Sequence, residues 1–210
     1  LDKFYLHNPF TDIRDTIIAG RGRKGGKILT IIIPCFKEKV ISDEIGKIFT
    51  DMGYDTQVIV STDEEPHIGK GNALKEGIKY AQGEYILFMD ADLQIPPQEI
   101  KSFFKQMELY DADAVIGNKH HPYSNIQYTL WRRIISLGYR TFIKLLFNLH
   151  IKDTQCGFKM FSAGATEKIF PLQTIDRWGF DMEILAIAIK KGYKIKEVAV
   201  DWYDAEGSQV

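Results

Sequence analysis

Two aspartates one residue apart, Asp90 and Asp92, interrupt the stretch YILFMDADLQIPPQEI (Tyr85–Ile100) at the end of five apolar or aromatic residues. On an extended backbone, residues i and i+2 point the same way, so both carboxylates can face one point just outside a sheet. Like charges brought together repel unless a cation lies between them. A hard divalent cation with oxygen ligands meets that need and keeps positions open for phosphate oxygens. Gln94, two residues further on, offers a neutral oxygen to the same set. An isolated D-x-D is most simply a turn capped by aspartate. Its position after a buried strand in an α/β pattern favours metal binding.

The elements that must position these residues can be read from apolar runs and breakers. KILTIIIPCF (27–36) is β-branched and reads as a fully buried strand closed by Pro34. A helix over 42–53 has Ser42 as N-cap, acids in its first turn and Gly53 as its stop. Strands are expected over 56–62, 84–90 and 113–119. Helices are expected over 69–83, after a Gly loop, and over 96–110, with prolines at its start where a missing N–H costs least. Strands alternating with helices imply a mostly parallel sheet covered on both faces. Ligands bind such sheets at the carboxyl ends of their strands, where Asp90 and Asp92 fall. Residues 1–26 read as a polar lead-in. The GRGRKGG run that ends it precedes a strand, so it is not a dinucleotide-binding loop.

Composition excludes several classes. The chain has 210 residues, 45% hydrophobic and 26% charged, as in an ordinary globular domain. A net charge of -1 gives no general attraction to nucleic acid. Two distant cysteines, Cys35 and Cys156, argue against a disulfide scaffold and fit a reducing compartment. No apolar run approaches the ~18–20 residues that span a bilayer, and no signal peptide is visible. The first residue is Leu1 rather than Met, which leads us to expect a trimmed piece and leaves room for a membrane anchor outside it.

Several segments, in order, resemble family 2 glycosyltransferases of the nucleotide-sugar-binding, Rossmann-like α/β fold (GT-A type): IIIPCFKE, GKGNALKEG, FMDADLQIPP, WRRIIS, DTQCGFKMF, and RWGFDMEIL with VDWYDAEGS. Within that family the chain is most similar to dolichyl-phosphate glucose and mannose synthases, and DTQCGFK followed by RWGFDMEIL leans toward the glucose branch. The resemblance covers roughly 27–210, which is taken as one glycosyltransferase domain after the 1–26 lead-in. It implies that Asp90, Asp92 and Gln94 hold Mg²⁺ or Mn²⁺ against the diphosphate of a donor such as UDP-glucose or GDP-mannose. It also implies that Pro34, Phe36 and Glu38 line the nucleotide pocket and that Lys70 of GKG approaches a phosphate. Arg132 and Ser136 match residues that bind the phosphate of a polyprenyl acceptor. Lys119 stands where the family usually has Arg and lacks the bidentate guanidinium fork. Asp153 is expected near the sugar, orienting it or Lys159. Trp178, Asp181 and Glu183 are expected on the sugar side of the pocket. A lipid phosphate is already an anion, so inverting attack needs no general base.

The segment 131–151 interleaves Arg132, Arg133, Arg140 and Lys144 with apolar residues. It reads either as a core helix or as a basic amphipathic face for an anionic membrane. The resemblance then implies a peripheral location on the cytoplasmic face of a membrane. One departure stands out. The family's second strand usually ends VDDGSxDxT, whereas this one ends VIVSTDEEP, leaving Asp63 or Glu64 to read the base. Two alternatives to a lipid-phosphate transferase stay open: a soluble or polysaccharide acceptor, and a degenerate, non-catalytic module. The Q-x-x-R-W of processive synthases is absent.

Overall fold

The structure is a computed structural model that describes residues 2–6, 12–19, 28–35, 42–62, 68–125 and 151–203, the first two stretches by backbone alone. Its strands are β1 (Asp2–Leu6), β2 (Asp12–Ala19), β3 (Ile28–Cys35), β4 (Asp55–Thr62), β5 (Tyr85–Met89), β6 (Ala114–Asn118), β7 (Phe158–Ser162) and β8 (Ile195–Ala199). Its described helices are α1 (Ser42–Asp51), α2 (Lys70–Ile78), α3 (Ile100–Tyr110), α4 (Ala163–Ile169) and α5 (Phe180–Lys190). The strands form one sheet in the order β1-β2-β4-β3-β5-β7-β6-β8. β3 pairs in parallel with β4 and β5, and β6 with β8, while β2 and β7 run against their neighbours. Six of the eight described strands therefore point one way.

Strand alternation divides the core between two helix layers. Leu29, Ile31, Ile33, Leu87 and Met89 belong to a cluster with Ile45 and Phe49 of α1 and Phe103, Phe104 and Met107 of α3. Ile32, Ile86 and Phe88 belong to a second cluster with Leu74 of α2, Ile169 of α4 and Phe180, Ile184 and Leu185 of α5. β3 lies at the middle of the sheet, where a proline would break a ladder. Pro34 is tolerated because pairing of β3 with β5 ends at Ile32↔Phe88, two residues earlier.

Two features differ from the sequence reading. The lead-in contains the β1–β2 hairpin, whose second strand pairs antiparallel with β4 over Asp12–Ala19. Helix α2 ends at Ile78 rather than running on toward Gly83. The turn after it is pinned instead: Gln82 N and Gly83 N donate to Thr30 Oγ1 at 3.3 and 2.9 Å, and Thr30 Oγ1 donates to Gln57 Oε1 at 2.8 Å. The Gly83–Thr30 and Thr30–Gln57 contacts are buried, so each is costly to leave unpaired. They fix where β5 enters the sheet and hence where it ends.

Candidate active site

β5 delivers Asp90 to the carboxyl end of the sheet. Asp90 continues the parity of Ile86 and Phe88, which face the α2 layer. Lys70, the first residue of α2, meets it there: Lys70 Nζ donates to Asp90 Oδ1 at 2.5 Å. Burial alone would lower the Lys70 pKa, but Asp90, Asp181 and Asp92 outweigh it and hold the ammonium above its usual range. The Asp92 carboxyl is pushed up, first by burial and then by the charge of Asp90, against the lowering effect of the Gln94 N–H and Lys70. The two carboxylates thus share a cation-seeking environment, part of which Lys70 satisfies.

The loop after Asp90 is shaped by Leu93, whose φ of 52° is left-handed. It is tied to the far edge of the sheet. Trp202 Nε1 donates to Gln94 Oε1 at 2.8 Å, and Tyr203 N donates to Gln94 O at 2.9 Å. The Gln94 side-chain oxygen, expected among the metal ligands, is thus bonded to an indole and tethers the loop. Among the described residues no three His, Cys, Asp or Glu side chains could surround one ion. Two carboxylates, one with a raised pKa beside the other, fit a cation of the Mg²⁺ type, which is commonly held by one or two carboxylates together with substrate phosphates.

Asp90, Asp92, Gln94, Lys119, Gln155, Gly157 and Trp202 line one cleft. Pro34, Lys70, Phe180, Lys159 and Asp181 line a second, and Asp90 and Gly157 belong to both. Gly157 is where no side chain fits: an added Cβ would lie 1.8 Å from Asp90 Oδ2. Two lysine–tryptophan pairs flank the carboxylates, Lys70 Nζ 5.9 Å from the Trp178 ring and Lys119 Nζ 5.9 Å from the Trp202 ring. Trp178 is 67% exposed, so it is not a core residue, whereas Trp202 is buried.

Other expected residues take different parts. Asp153 is buried, and its Oδ2 accepts from Lys119 N at 3.0 Å, while Glu197 Oε1 accepts from Asp153 N at 3.2 Å. The carboxylate that meets Lys159 is Asp181, in a buried ion pair, and Lys159 also donates to Cys156 O at 2.5 Å. Glu183 accepts from Thr174 and Ile175 and lines neither cleft. Phe36, Glu38, Asp63, Glu64, Arg132, Ser136 and residues 131–150 of the segment 131–151 lie outside the described residues. Sequence reasoning passed over Gly157 and Trp202. The first lay inside the quoted DTQCGFK run, but nothing local marks a glycine as the close neighbour of a carboxylate 67 positions away.

An α/β sheet with paired aspartates at a strand end, facing a glycine loop and flanked by cations, defines the GT-A class of glycosyltransferase fold. Residues 39–170 match the family described as Glycosyl transferase family 2, and the chain belongs to that family. It is 36% identical over 148 residues to the dolichyl-phosphate beta-glucosyltransferase of Dictyostelium discoideum, covering 68% of this chain and 45% of that protein. The Homo sapiens protein of the same name is 34% identical over 149 residues, covering 68% of this chain and 46% of its own. The chain spans about half the length of the curated relatives it matches. Among solved structures, the glucosyl-3-phosphoglycerate synthase of Mycobacterium tuberculosis with Mn²⁺ and UDP-glucose superposes with a TM-score of 0.63 at 15% identity, over 88% of this chain and 73% of that one. That likeness concerns the fold. No helix among the described residues is long and apolar enough to cross a membrane.

Proposed function

We propose that the chain carries the catalytic domain of an inverting, metal-dependent glucosyltransferase that moves glucose from UDP-glucose to a dolichyl or other polyprenyl phosphate. The observation that carries this reading is the Asp90–Asp92 loop placed between Lys70 and Lys119, in a chain whose relatives are named dolichyl-phosphate beta-glucosyltransferases. Asp90 and Asp92 hold Mg²⁺ or Mn²⁺, with Gln94 steadying their loop. The bound cation supplies charge neutralisation at the departing diphosphate. Lys70, on a glycine loop that allows close backbone approach, adds a second positive charge on the diphosphate side. Lys119, oriented through Asp153 and Trp202, faces the acceptor phosphate. Asp181 and Trp178 border the sugar.

In the transfer, an oxygen of the lipid phosphate attacks the anomeric carbon as the bond from that carbon to the diphosphate breaks, and UDP leaves. The nucleophile is already an anion, so no proton has to be removed, and positioning supplies most of the rate. Arg132 and Ser136 complete the acceptor-phosphate contacts, and Phe36, Glu38 and Asp63 or Glu64 the nucleotide pocket. Because the acceptor's tail stays in lipid, the domain works at a membrane surface, on the cytoplasmic face where nucleotide sugars are available, with 131–151 as its docking face.

The test is to incubate the purified chain with radiolabelled UDP-glucose, Mn²⁺ and dolichyl phosphate in detergent, with GDP-mannose and phosphoglycerate as alternative donor and acceptor. Label in the lipid fraction from UDP-glucose alone is expected. Label only on phosphoglycerate, or from GDP-mannose in preference, would overturn the assignment.

A further inference from the structure

A strap, residues 173–179, leads into α5 and carries Trp178. Glu183, in the first turn of α5, binds it by several bonds. Its Oε1 and Oε2 each accept from Thr174 N at 3.0 Å, Oε1 accepts from Thr174 Oγ1 at 2.5 Å, and Oε2 accepts from Ile175 N at 2.8 Å. The start of the strap is fixed as well: Gln173 Nε2 donates to Ile175 O at 2.9 Å, and Lys75 Nζ of α2 donates to Gln173 O at 2.9 Å.

The strap's next carbonyls face the glycine loop. The Asn72 N–H is one of the orphan donors at the start of α2, and it donates to Asp176 O at 3.1 Å. The fit leaves no room. A Cβ on Gly69 would lie 2.4 Å from Asp176 O, and one on Gly71 would lie 2.8 Å from Ile175 O and 2.9 Å from Asp176 O. Lys70 sits between these glycines, bonded to Asp90 and 5.9 Å from the Trp178 ring.

We propose that Glu183 is a positioning residue: by clamping Thr174 and Ile175 it seats the strap against Gly69–Gly71 and fixes Lys70 and Trp178 over the carboxylates. The consequence for donor binding rests on the function proposed above; the clamp itself does not.

Hydrogen exchange on the 210-residue chain without ligand tests the clamp. Glu183→Gln keeps the size of the side chain but leaves a single acceptor oxygen. The Asn72 amide donates to Asp176 O, yet its exchange is expected to quicken with those of Thr174 and Ile175 by about tenfold or more, the scale of one charge-assisted hydrogen bond. Amides of β3 and β5 should stay protected. Unchanged Asn72 exchange beside quickened Thr174 overturns the clamp. Should β3 and β5 lose protection too, Thr174→Val, which removes only the hydroxyl bond, decides on the same readout: a smaller quickening at Asn72 is expected, and none overturns the proposal. Calorimetry with Mn²⁺ and UDP-glucose then reads the consequence. Glu183→Gln should weaken the nucleotide sugar by about tenfold, while Mn²⁺ alone should bind at least as tightly as in the wild type. Unchanged nucleotide-sugar affinity beside quickened Asn72 refutes the link to the donor site. A wild-type chain that binds no nucleotide sugar counts against the proposed function, and the Asn72 exchange still decides the clamp.

Discussion

Gly157→Ala probes the carboxylate pair without touching a charged residue. The added Cβ would lie 1.8 Å from Asp90 Oδ2, 2.3 Å from its Cγ and 2.9 Å from its Oδ1, where real contacts stay beyond 3.0 Å. The carboxylate must therefore retreat by about 1.2 Å, the difference between 3.0 and 1.8. That movement stretches the 2.5 Å bond from Lys70 and takes Asp90 out of register with Asp92. Losing a charge-assisted hydrogen bond costs about 1.5–3 kcal/mol and an off-rotamer side chain about 0.5–1.5 kcal/mol. The Lys70 and Asp90 side chains are 26% and 38% exposed, so solvent screening favours the lower end. About 2 kcal/mol corresponds to roughly a 30-fold loss of affinity. Calorimetric titration of Mn²⁺ with UDP should read that loss in a chain that still folds, with the melting temperature lower by about 4–8 °C because the Lys70–Asp90 bond is lost from the free protein as well. Gly164→Ala is the matched control, since its Cβ meets nothing within 4 Å. Gly157→Ala binding Mn²⁺ and UDP as tightly as wild type would refute the placement of Asp90 against Gly157.

Three further outcomes follow from the same contacts. Lys70→Met removes the ammonium from Asp90, so Mn²⁺ alone should bind more tightly while UDP binds more weakly; titration of each separately checks the opposite signs. Lys159→Met leaves Asp181 buried without its partner, and losing one member of a buried pair costs about 3–5 kcal/mol, to be read as a lower denaturation midpoint. Glu183 has a pKa below its ordinary value of 4.5: burial would raise it, but the bonds from Thr174 and Ile175 and the charge of Lys75 outweigh that effect. Its folded-state pKa is depressed, so its contribution is complete above the ordinary value and is lost as pH falls through the depressed one. Protection of the Thr174 amide should hold from neutral pH down to the ordinary value and decline below it.

The parts of the fold legible in the sequence were those whose pattern is local. β3, β4 and β5 are apolar runs bounded by breakers, and Asp90 and Asp92 could be placed at a strand end because β5 stops where the apolar run does. β7 was not legible. It carries Lys159 at its second position and enters the sheet between β5 and β6, a pairing that sequence order hides. The β1–β2 hairpin was missed because its residues are polar enough to read as a lead-in. Among site residues, Lys70 and Asp181 took positions beside the carboxylates. Gln94 and Glu183 took structural partners, Trp202 and the Thr174–Ile175 strap. Which partner a polar side chain finds depends on chain segments up to 108 positions away, and spacing carries no trace of that.

In the proposed function Asp90 and Asp92 together would hold a divalent cation that offsets the charge of the donor diphosphate. The most direct measurement of that role is Mn²⁺ binding followed by electron paramagnetic resonance, with and without UDP-glucose, in the wild type and in Asp92→Asn. UDP-glucose should tighten Mn²⁺ binding to the wild type, and Asp92→Asn, which keeps shape but loses a charge, should abolish the tightening in a folded chain. Equal Mn²⁺ binding by both proteins, with UDP-glucose making no difference to either, would contradict it.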